Sequence, residues 1–120
     1  MGLYVRSVGQ LTGIELKEPV PISIATSGDN SIIAAPGAGK RIVIVHLTLN
    51  NPIGTTNTVT FKSGANVLSG GVLLGATGGG LVEQTANQFP VLFCRANEAF
   101  IINLSAATSI TGYLIYYVEG

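Results

Sequence analysis

Residues 40–50, KRIVIVHLTLN, restrict this chain more than any other stretch does. β-Branched and apolar side chains follow one another there, two charges stand at the front and Asn-Asn-Pro follows, so the run predicts one long β-strand with hard stops. Strand parity sends alternate side chains to opposite faces. It places Val43, Val45, Leu47 and Leu49 on a core face and Ile42, Ile44, His46 and Thr48 on the other. The second set is apolar at its start, so the strand needs cover on both faces over half its length. A chain of 120 residues makes one domain with little to spare, and a second copy or a larger partner is the expected source of that cover.

From residue 22 onward, short β-like runs alternate with turn chemistry at the spacing of a sandwich or barrel. Besides the long run, strands are expected over 22–26, 31–35, 58–62, 67–74, 81–83, 91–95, 99–104 and 110–119. In the run 58–62, Val59 and Phe61 point inward while Thr58, Thr60 and Lys62 point to water. Gly70-Gly71 marks a bulge or bend in 67–74. In the last strand Leu114, Tyr116 and Val118 share one face and Tyr113, Ile115 and Tyr117 share the other. Aromatic residues on a second face point to an interface, because tyrosine supplies contact area with a polar tip. No ten-residue stretch carries helix formers at a 3.6-residue period, so the expected fold class is an all-β, antiparallel β-sandwich of about eight strands. A Greek-key jelly roll and an immunoglobulin-like sandwich both fit the pattern, although one Cys and no Trp leave out the signature of antibody domains. Residues 1–21 end in Pro19-Val20-Pro21, which disfavours helix on both flanks, and read as an extended N-terminal arm with a short strand at 14–17. Residues 22–120 then form the single β-sandwich domain.

Charged residues make up only 10% of the chain, against roughly 25% in ordinary globular domains, while 47% are hydrophobic. Six basic and six acidic side chains must serve the whole surface, so part of it is expected to be covered, by homo-oligomerisation first and by docking on a large assembly second. A net charge of zero lacks the electrostatic footprint of a nucleic-acid binder. No apolar run approaches the ~20 residues that cross a bilayer, and the first ten residues lack the basic-then-apolar order of a secretion signal. No membrane partner and synthesis in a cytoplasm are therefore expected. The single cysteine, Cys94, makes no internal disulfide and fits that reducing setting.

The residues that carry chemistry elsewhere are poorly supplied here. The sequence APGAGKR at 35–41 superficially resembles a phosphate-binding loop, yet Ala34 and Arg41 stand where that motif needs its first glycine and its Ser or Thr. It reads as a tight turn between strands, capped by charges that discourage edge pairing. His46 is the only histidine and Asp29 the only aspartate, and no Gly-x-Ser-x-Gly elbow accompanies them, so a hydrogen-bonded strand histidine near a subunit contact is the expectation. Cys94, between Phe93 and Arg95, reads as a small buried hydrophobe. Three or four metal ligands at workable spacing are absent from the sequence. No catalytic, cofactor-binding or metal-binding residue is expected, and no enzyme activity.

Three segments carry a family resemblance: DNSIIAAPGAGKRIVIVHLTL (29–49), VTFKSGANVLSGGVLL (59–74) and ANEAFIINLSAATSITGYLIYYVE (96–119). In combination they resemble small virion structural proteins of tailed bacteriophages and cyanophages. The resemblance implies a compact jelly-roll β-sandwich that serves as a capsid decoration (cement) protein. It implies a homotrimer bound to the major capsid protein on the outside of an icosahedral head, without cofactor, after synthesis in the host cytoplasm. On that view Ile42, Ile44, His46, Tyr113, Ile115 and Tyr117 line the subunit contact. The capsid-docking arm would contain Leu3, Tyr4, Val5, Arg6, Ile14, Glu15, Lys17 and Glu18. The alternative is a receptor- or glycan-binding module of a tail fibre or spike. Loops rich in Gly, Thr and Asn, without Trp or Phe at their tips, favour decoration.

Overall fold

A computed structural model describes residues 14–84 and 90–120. Among these residues the regular structure is all β: β1 (Ile14–Leu16), β2 (Val20–Ile24), β3 (Gly28–Ile33), β4 (Arg41–Asn51), β5 (Asn57–Ser63), β6 (Asn66–Val67), β7 (Val72–Leu74), β8 (Gly79–Gln84), β9 (Leu92–Phe93), β10 (Phe100–Leu104) and β11 (Ile110–Glu119). All of the pairings between them are antiparallel. Segments β1 and β2 succeed one another beside β11, β8 and β9 do so beside β4, and β6 and β7 do so beside β5, so the segments fill eight places. One sheet runs β1/β2, β11, β4, β8/β9, and the other runs β3, β10, β5, β6/β7. Numbered by place, the orders are 1-8-3-6 and 2-7-4-5, in which the chain passes from sheet to sheet as in a jelly roll. That order decides between the two sandwiches that the hydrophobic pattern leaves open.

Alternation explains most of the strands directly. In β5, Asn57, Val59, Phe61 and Ser63 are buried and the residues between them are half-buried. In β10, Phe100, Ile102 and Leu104 enter the core, where the Phe100 and Phe61 rings stack with centroids 6.1 Å apart. Strand β3 starts at Gly28, earlier than expected, because the Asn30 amide donates to the carbonyls of Thr26 (2.8 Å) and Gly28 (3.1 Å) and shortens the turn. Residues from Ile14 onward belong to the sandwich and not to an arm: β1 and β2 both pair with β11, and the Lys17 N–H donates to the Tyr116 carbonyl at 3.2 Å. Pro19 and Pro21 are compatible with that edge, where a missing N–H interrupts no interior ladder. Leu3, Tyr4, Val5 and Arg6 lie outside the described residues.

The long strand corrects its own parity. Along the ladder between β4 and β11, Ile115 faces His46 but Tyr116 faces Ile44, so Val45 is an extra residue and β4 carries a β-bulge. Ile42 and Ile44 before the bulge and Leu47 and Leu49 after it all enter one core. Strict alternation assigns Ile42 and Ile44 to the second face, whereas both are 0% exposed inside the sandwich. Val43 and Val45, expected in the core, instead cluster on the outer face with Tyr117 and Ile115. Ile44→Ala is accordingly expected to lower the free energy of unfolding by about 3 kcal/mol, as for a core isoleucine. Urea denaturation at several protein concentrations checks this: a loss that vanished on dilution would place Ile44 at a subunit contact.

Candidate functional site

The two outer faces of the sandwich differ in chemistry. On the β3/β10/β5 sheet, Asp29 accepts hydrogen bonds from Asn103 Nδ2 (2.8 Å) and from Lys62 Nζ (2.9 Å to Oδ2), with Thr58 and Thr60 further along β5. The Asn103 and Lys62 donors hold the Asp29 carboxyl below the usual carboxylate range. A depressed folded value means that this contribution is present above the unfolded pKa and is lost as pH falls through the folded one. Asp29→Asn is expected to flatten the acid limb of stability below about pH 4, by a small amount because the site is exposed. Urea unfolding of both proteins across that range checks the difference in slope.

The outer face of the other sheet is built from cross-strand rows. Register aligns Pro21, Tyr113, Thr48 and Val82 across β2, β11, β4 and β8. A second row joins Ile115 to His46, and a third runs from Tyr117 through Val43 to Phe93. At the centre the His46 ring stacks on Tyr113, centroids 4.9 Å apart at 25°, while His46 Nε2 shares a 2.9 Å hydrogen bond with Thr48 Oγ1. At one end Arg41 pairs with Glu119 (Nη2 to Oε1, 2.6 Å) and lies 5.0 Å over the Phe93 ring. Apart from that pair, the outward positions of β2, β4 and β11 carry no charge. Several large apolar side chains stand open on this face: Tyr113 is 41% exposed, Phe93 52% and Val82 64%.

Four of the six residues expected at a subunit contact, His46, Tyr113, Ile115 and Tyr117, thus share this face, while Ile42 and Ile44 lie behind it in the core. Tyr117 is already 7% exposed, and its burial, then Glu119, push the phenol above its ordinary pKa while Arg41 opposes them. Phe93 and Val82 were missed because the runs around them are short; apolar residues at both parities, as in Leu92-Phe93 and Leu81-Val82, were the available signal. Of the expected docking residues, Lys17 and Glu18 lie in the link between β1 and β2, and Ile14 and Glu15 pair through their backbones with Glu119 and Val118.

Groups suited to chemistry are not brought together among the described residues. Cys94 sits in the core, where burial pushes its thiol up to about 11, leaving it protonated at neutral pH. No cluster of three His, Cys, Asp or Glu side chains able to hold a metal ion occurs among them. A hollow of about 180 Å³ is lined by Lys17, Ile33, Ala34, Pro36, Lys40, Tyr116 and Val118, and holds neither a carboxylate nor an imidazole.

Fold and surface together define the class: an antiparallel jelly-roll sandwich with the Asp29–Lys62–Asn103 cluster on one outer face, where Val67 and Leu73 also stand exposed, and rows of aromatic and apolar side chains around Tyr113 on the other. Compared with known protein families, with characterised proteins and with solved structures, the chain matches none.

Proposed function

We propose that this chain is a non-enzymatic virion structural protein, a capsid decoration protein that assembles with copies of itself into a trimer and binds the major capsid protein on the phage head. The observation that carries this reading is the apolar outer face around Tyr113, Val82 and Phe93, a surface of the kind that proteins cover rather than leave in water. Its aromatic and β-branched make-up, with the Arg41–Glu119 pair at one end as its charged element, favours burial against a like surface. Only 10% of the chain is charged, which supports the same conclusion for the molecule as a whole. A protein with this task needs no reacting groups, and gains strength from many weak contacts repeated over a shell.

The test uses heads that lack the decoration layer. Purified chain is expected to co-sediment with them in saturable amounts, and the double variant Tyr113→Ser/Phe93→Ser is expected to run at lower mass and to bind more weakly. Native chain that stays in the supernatant at every concentration would refute the reading. Immunogold label on tails rather than heads would transfer the chain to the receptor-binding class.

A further inference from the structure

We infer that β8 is a pairing edge through which a second copy of this chain extends the long sheet, antiparallel, about a dyad at Val82. Among the described residues the sandwich has four edges, and three are protected against such pairing. The β1/β2 edge contains Pro19 and Pro21. Strand β3 carries Asp29 and a bulge, since Phe100 faces Ile33 but Ile101 faces Ser31, and segments β6 and β7 are two and three residues long. Proline, charge, bulges and shortness are the devices by which proteins keep sheet edges from joining.

Strand β8 contains no proline and no bulge, and its one charge, Glu83, lies one residue beyond Val82. It is six residues long, runs Gly-Gly-Leu-Val-Glu-Gln, and pairs without a register shift from Gly79 opposite Asn51 to Gln84 opposite His46. It closes the described sheet, so its backbone groups on the side away from β4 form an open row. Gly79 and Gly80 let another backbone approach closely. Val82, 64% exposed, stands on this edge at the end of the row that contains Tyr113.

The occupant follows from pairing rules. A dyad perpendicular to the sheet keeps inner faces with inner faces, so residues that meet must share parity. Centred on Val82, it places Val82 against Val82 of the second copy and Leu81 against Glu83, and no Glu83 meets another. The sole charge of β8 therefore raises no like-charge clash. A segment with an apolar residue at its centre and its one charge displaced from the dyad meets this edge without a clash, and β8 is itself such a segment. The contact is independent of the virion reading; where the apolar face closes an oligomer, β8 links one oligomer to the next.

Directly opposed residues in an antiparallel pair have Cα atoms about 4.5–5.5 Å apart, within the span of a disulfide. Val82→Cys is expected to oxidise to a covalent dimer about tenfold faster than Val67→Cys, which is equally exposed on β6. It should still do so in the Tyr113→Ser/Phe93→Ser background, which separates this edge from the face. Equal rates for the two cysteine variants would overturn the inference. Should Val82→Cys fail to fold, hydrogen exchange of the native chain decides: amides of 81–83 should exchange about tenfold more slowly at high than at low protein concentration. Concentration-independent exchange would overturn it equally.

Discussion

Gly112→Ala is expected to destabilise the fold by about 4 kcal/mol or more, the largest loss of any single change considered. Gly112 lies in β11 opposite Leu49, in the ladder between the two central strands of the long sheet. A Cβ built there collides with the Thr48 carbonyl oxygen, and would stand 2.8 Å from the Thr48 carbonyl carbon and 3.0 Å from Leu49 Cα. Backbone on both sides cannot rotate away as a side chain does. The φ of +155° adds strain for any residue with a side chain. Domains of this size are stable by about 5–15 kcal/mol, so a large share of that margin would be consumed. Gly54→Ala is the control: nothing stands within 4 Å of its Cβ, and a change within about 0.5 kcal/mol is expected. Thermal melts followed by circular dichroism compare the two. A Gly112→Ala protein melting within a few degrees of its parent would mean that β11 and β4 do not meet in this register.

Asn57→Ala should have the second largest effect, about 3 kcal/mol. Asn57 opens β5, is 1% exposed, and holds the connection from β10 to β11 from within. Its Nδ2 donates to the Ala106 carbonyl (3.0 Å) and to Thr108 Oγ1 (3.0 Å), while Oδ1 accepts from the N–H groups of Ser105 (3.1 Å) and Ala106 (3.2 Å). Truncation removes the partner of the Ala106 N–H and carbonyl and of the Thr108 hydroxyl in a part-buried loop, while the Ser105 N–H keeps the Thr58 carbonyl at 3.0 Å, and the groups left unpaired cost more than the bonds were worth in exchange with water. Asn50→Ala, on the half-buried side of β4, is expected to change stability by no more than about 0.5 kcal/mol. Equilibrium urea unfolding of both variants distinguishes a structural peg from an ordinary turn residue, and equal losses would argue against the peg.

These two positions also show where a sequence stops being informative. Gly112 interrupts an apolar strand, and nothing local says that a neighbouring carbonyl occupies the space of its missing side chain. Asn51 and Asn57 stand beside Pro52 and Gly54 and look like turn punctuation; both are buried, and Asn51 donates to the carbonyls of Thr55, Leu74 and Gly75. Val59 and Phe61, by contrast, were legible because two-residue alternation requires no knowledge of a partner strand. The candidate face was legible in β11, where Tyr113, Ile115 and Tyr117 alternate with core residues. It was illegible in the first half of β4, because the bulge at Val45 is a mismatch between two strands and belongs to neither alone.

Side-chain volume, β-branching and two-residue alternation act within a few positions along the chain. The amino-acid sequence by itself therefore determined an all-β sandwich, the inward sets of β5 and β10, and an excess of apolar surface over charge. Only the tertiary structure decided the jelly-roll order, the exchange of Ile42 and Ile44 for Val43 and Val45, and the gathering of Tyr113, Val82 and Phe93 on one face. Each of those depends on register between strands far apart in the chain, which is set when the sheets close on one another.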